Sequence, residues 1–174
     1  MTIAVYPGSF DPVTNGHIDI ATRASNIFEK VVVAVYDTPS KQLLFSTEER
    51  VSMMAEALKT LPNVEVQMYT GLTVDFAHQV GAKVWVRGLR VVSDFEWELQ
   101  IALMNRKIAP DLDGVCLMTN LEYSYLSSTI VKEVARLGGN VADLVPPHVA
   151  RALRERFGSQ DVAVAAVPTH LLRD

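Results

Sequence analysis

The sequence predicts an α/β chain built on a five-stranded parallel sheet, and two observations carry that prediction. Short β-branched runs alternate with longer helical patterns along the chain. The runs are also continuously apolar, as in "VVVAV", which fits strands buried on both faces.

The first strand is "TIAVY" (2–6), followed after "PGSFDPVTNGH" by a helix over 17–28. The second is "VVVAVY" (31–36), followed by a helix over 47–60 that opens with Ser46 and Glu49 in capping-box spacing. On that helix Val51, Met54, Ala55 and Leu58 share one face, which makes it structural. "VEVQMY" (64–69) leads to a helix over 73–80, and "KVWVRG" (83–88) to a helix over 93–108. "GVCLMT" (114–119) is the fifth strand, with helices over 127–137, stopped by Gly138-Gly139, and 147–157. One domain over 1–158 accounts for these elements, and 159–174 form an extension without a clear period.

A net charge of −4 argues against a partner held by phosphate neutralisation along a nucleic acid, so any bound anion must be met locally. The single cysteine, Cys116, excludes a disulfide framework or Cys-rich zinc site and reads as a buried, inert thiol. No stretch has the length of a membrane span and no leader pattern is present, so a cytoplasmic location without membrane attachment is expected.

A parallel sheet of this kind places its ligand outside the carboxyl ends of the strands. In the first such loop, Gly8-Ser9 permits a sharp turn, and Thr14-Asn15-Gly16-His17 opens a helix whose N–H groups and dipole favour a phosphate. His17 in that first turn is either an anion-site imidazole or a helix-start hydrogen bonder. After the fourth strand, "VRGLR" sets Arg87 and Arg90 around a glycine, two guanidinium forks suited to phosphate oxygens unless they are merely solvated. After the fifth, Ser127, Ser128 and Thr129 open a helix; one hydroxyl suffices for a cap, and three suit a polyphosphate. The helix over 93–108 has two apolar stripes, Phe95, Leu99, Ala102 and Leu103 against Trp97, Ile101, Met104 and Ile108. The second stripe predicts a subunit contact, or cover by the C-terminal segment. Between the stripes, Glu98 and Asn105 lie two turns apart and are suited to line a cleft. Neither GxGxxG nor GxxxxGK[ST] occurs, so hydride transfer and phosphate-loop ATPase chemistry are unsupported.

"PGSFDPVTNGHIDI", "RGLR…DFEWELQ…MN" and "SSTIVKEVA" together resemble the bacterial phosphopantetheine adenylyltransferases, nucleotidyltransferases with a T/HxGH motif and an ISSTxxR-like second motif, over residues 2 to 158. The resemblance implies a Rossmann-like doubly wound fold, transfer of AMP from ATP to 4′-phosphopantetheine, a magnesium requirement, dephospho-coenzyme A or coenzyme A as product or feedback ligand, and a homohexamer. It implies catalytic roles for His17, Lys41 and Arg90. It puts pantetheine contacts at Ser9, Lys41, Thr73 and Arg87, to which the helix wheel adds Asn105. ATP contacts fall at Ser9, Phe10, His17, Gly88, Leu89, Arg90, Glu98 and the run Tyr123, Ser124, Tyr125, Leu126, Ser127, Ser128 and Thr129. No side chain is expected to ligate a metal directly. Thr14 stands where the HxGH form has its first histidine, and the ISSTxxR arginine is absent, with Lys132 near its place, so Arg90 is expected to supply that charge. A related nucleotidyltransferase acting on another acceptor, or a non-catalytic adenylate sensor, are the alternatives.

Overall fold

Five parallel strands, β1 (Ile3–Gly8), β2 (Lys30–Tyr36), β3 (Val64–Tyr69), β4 (Val84–Leu89) and β5 (Asp113–Met118), form one sheet in the order β3-β2-β1-β4-β5. The helices are α1 (Asn15–Ile27), α2 (Thr47–Leu58), α3 (Thr73–Gln79), α4 (Val92–Ile108), α5 (Ser128–Arg136) and α6 (Pro147–Gly158), with a 3-10 turn at Leu121–Tyr123. This computed structural model describes residues 2–38 and 42–158. The predicted strands and helices all form, and the sheet is doubly wound: the chain runs outward from β1 to β3, then returns to the other side of β1 for β4 and β5.

The strands alternate their side chains between two covered faces, which is why they read as unbroken apolar runs. Tyr6, Val31, Val33 and Val35 join Ile20, Met54, Val131 and Leu153 on one side, and Val5, Val32 and Ala34 join Val74, Phe76 and Trp85 on the other. The Ser46–Glu49 capping box forms as expected at the start of α2. Of the predicted face of α2, Met54 and Leu58 are buried and Val51 packs half-buried against the core, but Ala55 is exposed and the buried side takes in Arg50 and Met53 instead. The wheel counted apolar residues and so missed a charged side chain that is fully enclosed.

The β5 edge is the least covered part of the molecule. Along α4 both apolar stripes are largely exposed, with Trp97 and Leu103 each 62% exposed, and Glu98 is buried. Cys116 is likewise exposed, contrary to the expectation of a buried thiol, because no other layer among the described residues covers the face to which it points. Partial burial and the nearby Glu98 carboxylate still raise its thiol pKa, opposing thiolate formation. No helix among the described residues is long and apolar enough to cross a membrane.

Candidate active site

The central crevice follows from strand register. β1 stays paired with β2 from Ile3 opposite Lys30 to Gly8 opposite Val35, but it pairs with β4 only at Ala4–Val84 and Val5–Trp85. Beyond Val5 the carboxyl ends of β1 and β4 diverge, and the gap is a cleft of about 130 Å³ walled by Tyr6, Pro7, Arg87 and Gly88. This is the point where the strand order reverses, the place such sheets bind ligands. His17 and Arg90 complete two further sides.

The loop from Pro7 to His17 is held at several points. The buried guanidinium of Arg50 donates to the Ser9 carbonyl at 2.8 Å. Asp11, 1% exposed, accepts from the Leu44 and Phe45 amides and from Lys132 Nζ at 2.6 Å. Ser128 Oγ donates to the Pro12 carbonyl at 2.8 Å, and Asn15 Nδ2 to the Asp143 carbonyl at 2.9 Å. The Asp11–Pro12 peptide bond is cis. Gly8 makes room for this packing: a Cβ there would stand 2.7 Å from the Phe10 ring. Its lack of a side chain therefore serves the packing of Phe10, beyond the sharp turn that the sequence suggested. Gly88 similarly faces Ile20, whose side chain would lie 3.0 Å from an added Cβ.

His17 is the helix-start hydrogen bonder of the two readings that the sequence left open, and its ring also lines the cleft. Its Nδ1 accepts from the Thr14 backbone N–H at 3.1 Å, while the Thr14 hydroxyl accepts from the His17 amide, so the two close a capping box around the start of α1. With Nδ1 accepting, the neutral ring carries its proton on Nε2, as a donor on the opposite edge of a ring that lines the cleft. The Phe10 ring packs edge-on against the imidazole, with centroids 5.1 Å apart.

The two arginines of "RGLR" are anchored differently. Arg87 grips Glu98 through Nε at 2.9 Å and Nη2 at 2.6 Å, and its Nη1 bridges the divergent strands to the Pro7 carbonyl at 2.9 Å. Burial opposes its charge, but the Glu98 hydrogen bonds and carboxylate outweigh it and raise the guanidinium pKa. Glu98 is thus a buried partner of Arg87 and does not line the cleft as an acceptor of hydroxyls. Arg90 donates to both Asp94 oxygens at 3.0 and 3.1 Å, and to the Leu126 carbonyl at 2.9 Å, tying the fourth loop to the fifth. Partial burial would raise the Asp94 pKa; the bonds from Arg90 prevail and lower it.

The other predicted positions divide. In the fifth loop Tyr123 and Leu126 line the cleft, whereas Tyr125 is 65% exposed and Ser124 Oγ donates to the Leu121 carbonyl. The three hydroxyls have separate tasks: Ser127 caps α5 by accepting from the Ile130 amide, Ser128 holds Pro12, and Thr129 is exposed. Leu89 turns into the core between Gly88 and Arg90, as strand alternation requires. Thr73 bonds the Tyr69 hydroxyl at 2.9 Å at the start of α3, and Asn105 is half-buried on α4; neither lines the cleft. Lys41 lies outside the described residues. Lys132, near the missing motif arginine, is bound to Asp11 and serves the loop.

Sequence reasoning passed over Tyr6, Thr119 and Arg50. Tyr6 counts as a core residue by pattern, yet it lines the cleft, and burial raises its phenol pKa well above the usual value. Thr119 follows β5 directly, where the strand-end rule alone would have found it.

A family model described as cytidylyltransferase-like matches residues 5–134. The chain is 57% identical over 158 residues to a phosphopantetheine adenylyltransferase of Roseiflexus sp. (strain RS-1), spanning 91% of this chain and 99% of the relative. It is 55% identical over 158 residues to one from Desulforudis audaxviator, spanning 91% and 97%. Among solved structures, a nicotinic acid mononucleotide adenylyltransferase of Plasmodium falciparum complexed with NaAD superposes with a TM-score of 0.67 at 14% identity, covering 90% of this chain and 96% of that one. That likeness supports the doubly wound fold, and the close relatives extend to the whole described domain: this chain belongs to the phosphopantetheine adenylyltransferase family.

Proposed function

We propose that the cleft between β1 and β4 transfers the adenylyl group of ATP to 4′-phosphopantetheine, giving dephospho-coenzyme A and pyrophosphate. The observation that carries this is the convergence of His17, Arg87 and Arg90 where the two strands part. A phosphate oxygen of the acceptor attacks the α-phosphorus in line. The bond to the α,β-bridging oxygen breaks, and its electron pair leaves with pyrophosphate. The attacking group is already an anion, so no side-chain nucleophile is required; the chain works by positioning and by donors aimed at developing charge. Arg87 holds the acceptor phosphate, while Arg90 and His17 Nε2 meet the triphosphate. Ser9 and Lys41 belong to the acceptor side, with Thr73 and Asn105 off the cleft wall. Gly88, Tyr123 and Leu126 face ATP, backed by Phe10, Leu89, Glu98 and the rest of residues 123–129. A magnesium ion carried by the nucleotide phosphates would offset their charge beside Arg90 and His17. Residues 1–158 are the catalytic domain with 159–174 as an extension, and the enzyme works in the cytoplasm.

Pyrophosphate release from ATP, measured with and without 4′-phosphopantetheine, tests the reading. Acceptor-dependent release is expected; Arg87→Ala should chiefly raise the KM of the acceptor and Arg90→Ala that of ATP. Release indifferent to the acceptor would refute the function, and equal losses for both ligands in both variants would refute the division of labour.

The exposed stripes of α4 beside the β5 edge support assembly of identical copies through that face, as a homohexamer. Trp97→Glu or Leu103→Glu should then shift the sedimentation coefficient to that of a smaller species. A parent chain that sediments as a monomer at micromolar concentration would overturn the assembly.

A further inference from the structure

We propose that Arg50 is a positioning residue of this site: held beneath the loop after β1, its guanidinium orients the Ser9–Phe10 peptide so that the Phe10 N–H is turned outward as a donor to phosphate. The proposal rests on the nucleotidyltransferase reading above and adds to it a residue remote from the cleft wall. Arg50 is 0% exposed. Its Nη1 donates to the carbonyls of Ser9 and Tyr36, both at 2.8 Å, its Nε to the Phe45 carbonyl at 3.2 Å, and its Nη2 to Thr47 Oγ1 at 2.7 Å. One fork therefore gathers the carboxyl ends of β1 and β2 and the entry to α2.

The consequence for the site lies in the Ser9 contact. Carbonyl and N–H of a trans peptide point in opposite directions, so a Ser9 oxygen drawn toward the core by Arg50 turns the Phe10 N–H away from it. Among the described residues that N–H donates no hydrogen bond, although Phe10 is only 3% exposed. An amide that meets no acceptor among the described residues is open to a phosphate oxygen. Phe10 also has φ of 49°, a left-handed conformation that a residue with a Cβ resists and keeps only where its surroundings hold it. Those surroundings are the Tyr6 ring at 5.3 Å, the His17 ring at 5.1 Å, the space left by Gly8, and Arg50. Without the guanidinium the Ser9 carbonyl loses the donor that draws it toward the core, and the direction of the Phe10 amide is no longer fixed from that side.

Titrating the ¹⁵N-labelled full chain with inorganic pyrophosphate reads this directly. In the parent chain the Phe10 amide resonance is expected to move saturably. In Arg50→Lys, which keeps the charge and loses the fork, that movement should vanish, and kcat/KM for ATP should fall about tenfold or more at a temperature well below the melting transition. Thr47→Val removes the Nη2 contact and spares the one to Ser9. It should lower Tm while leaving the Phe10 response and kcat/KM within about twofold of the parent. An Arg50→Lys chain that melts early but keeps both would reduce Arg50 to scaffold and overturn the proposal. A Phe10 amide indifferent to pyrophosphate in the parent chain overturns it without any variant, whether or not Arg50→Lys folds. A parent chain whose Phe10 responds but which transfers no adenylyl group would overturn the activity instead, leaving the role of Arg50 standing.

Discussion

His17→Gln is expected to fold as stably as the parent chain and to lose turnover by about 10²–10³, or roughly 3–4 kcal/mol of transition-state stabilisation. The structure suggests this variant because His17 occupies the third helical position, where glutamine is a natural capping-box partner: its side-chain oxygen can accept from the Thr14 amide in place of Nδ1. The cap then survives while the Nε2 donor is lost. His17→Ala removes both, so it should show the same loss of turnover together with about 1 kcal/mol of destabilisation from the broken cap. ATP affinity should stay within roughly an order of magnitude in either variant, because a donor aimed at charge that develops during transfer contributes little to the ground state. Single-turnover rate, ATP affinity and Tm measured on the pair separate the two roles of one ring. A His17→Gln enzyme with parental turnover would leave the imidazole only its place in the cap.

Asp11→Ala should cost about 3–5 kcal/mol of stability, a fall in Tm on the order of 10 °C for a domain of this size. The carboxylate is 1% exposed and accepts from two amides and the Lys132 ammonium, so its removal strands three donors in a largely dry setting. Lys132→Met should cost less, since the carboxylate keeps both amide donors. A double-mutant cycle through Asp11→Asn and Lys132→Met is expected to show a coupling of about 1–3 kcal/mol. Additive losses, or a cost for Asp11→Ala below about 1 kcal/mol, would show that the loop is anchored elsewhere. Catalysis should suffer too, because Asp11 joins the loop bearing Ser9 and His17 to the segment before α2 and to α5.

Much of this molecule was legible because its local signals agree. The strand runs are apolar throughout, since helices cover both faces of the sheet, and the Ser46–Glu49 box marks its helix unambiguously. Strand-end loops can be found from any βα alternation, and they contain Thr14, His17, Arg87 and Arg90. What misled was reading each residue by type. Glu98 and Asn105 lie two turns apart on one side of α4, but Glu98 is turned inward by an arginine from β4, a contact no helix wheel contains. Cys116 belongs to an apolar run and is nevertheless exposed, because burial depends on whether another layer covers the face to which a strand side chain points.

The sequence by itself determined the elements, their parallel order, the loops that hold the chemistry and, through three motifs, the family; these are local properties, carried by periodicity, caps and short contiguous patterns. Only the tertiary structure decided where the sheet opens, which hydroxyls and glycines serve packing, and which charges hold the site loop from beneath. Each of those rests on contacts between residues far apart in the chain, Arg50 to Ser9, Lys132 to Asp11 and Arg87 to Glu98 and Pro7. A buried charge carries no mark of its partner in a linear pattern, because the low-dielectric pairing that makes it tolerable exists only once the chain has folded around it.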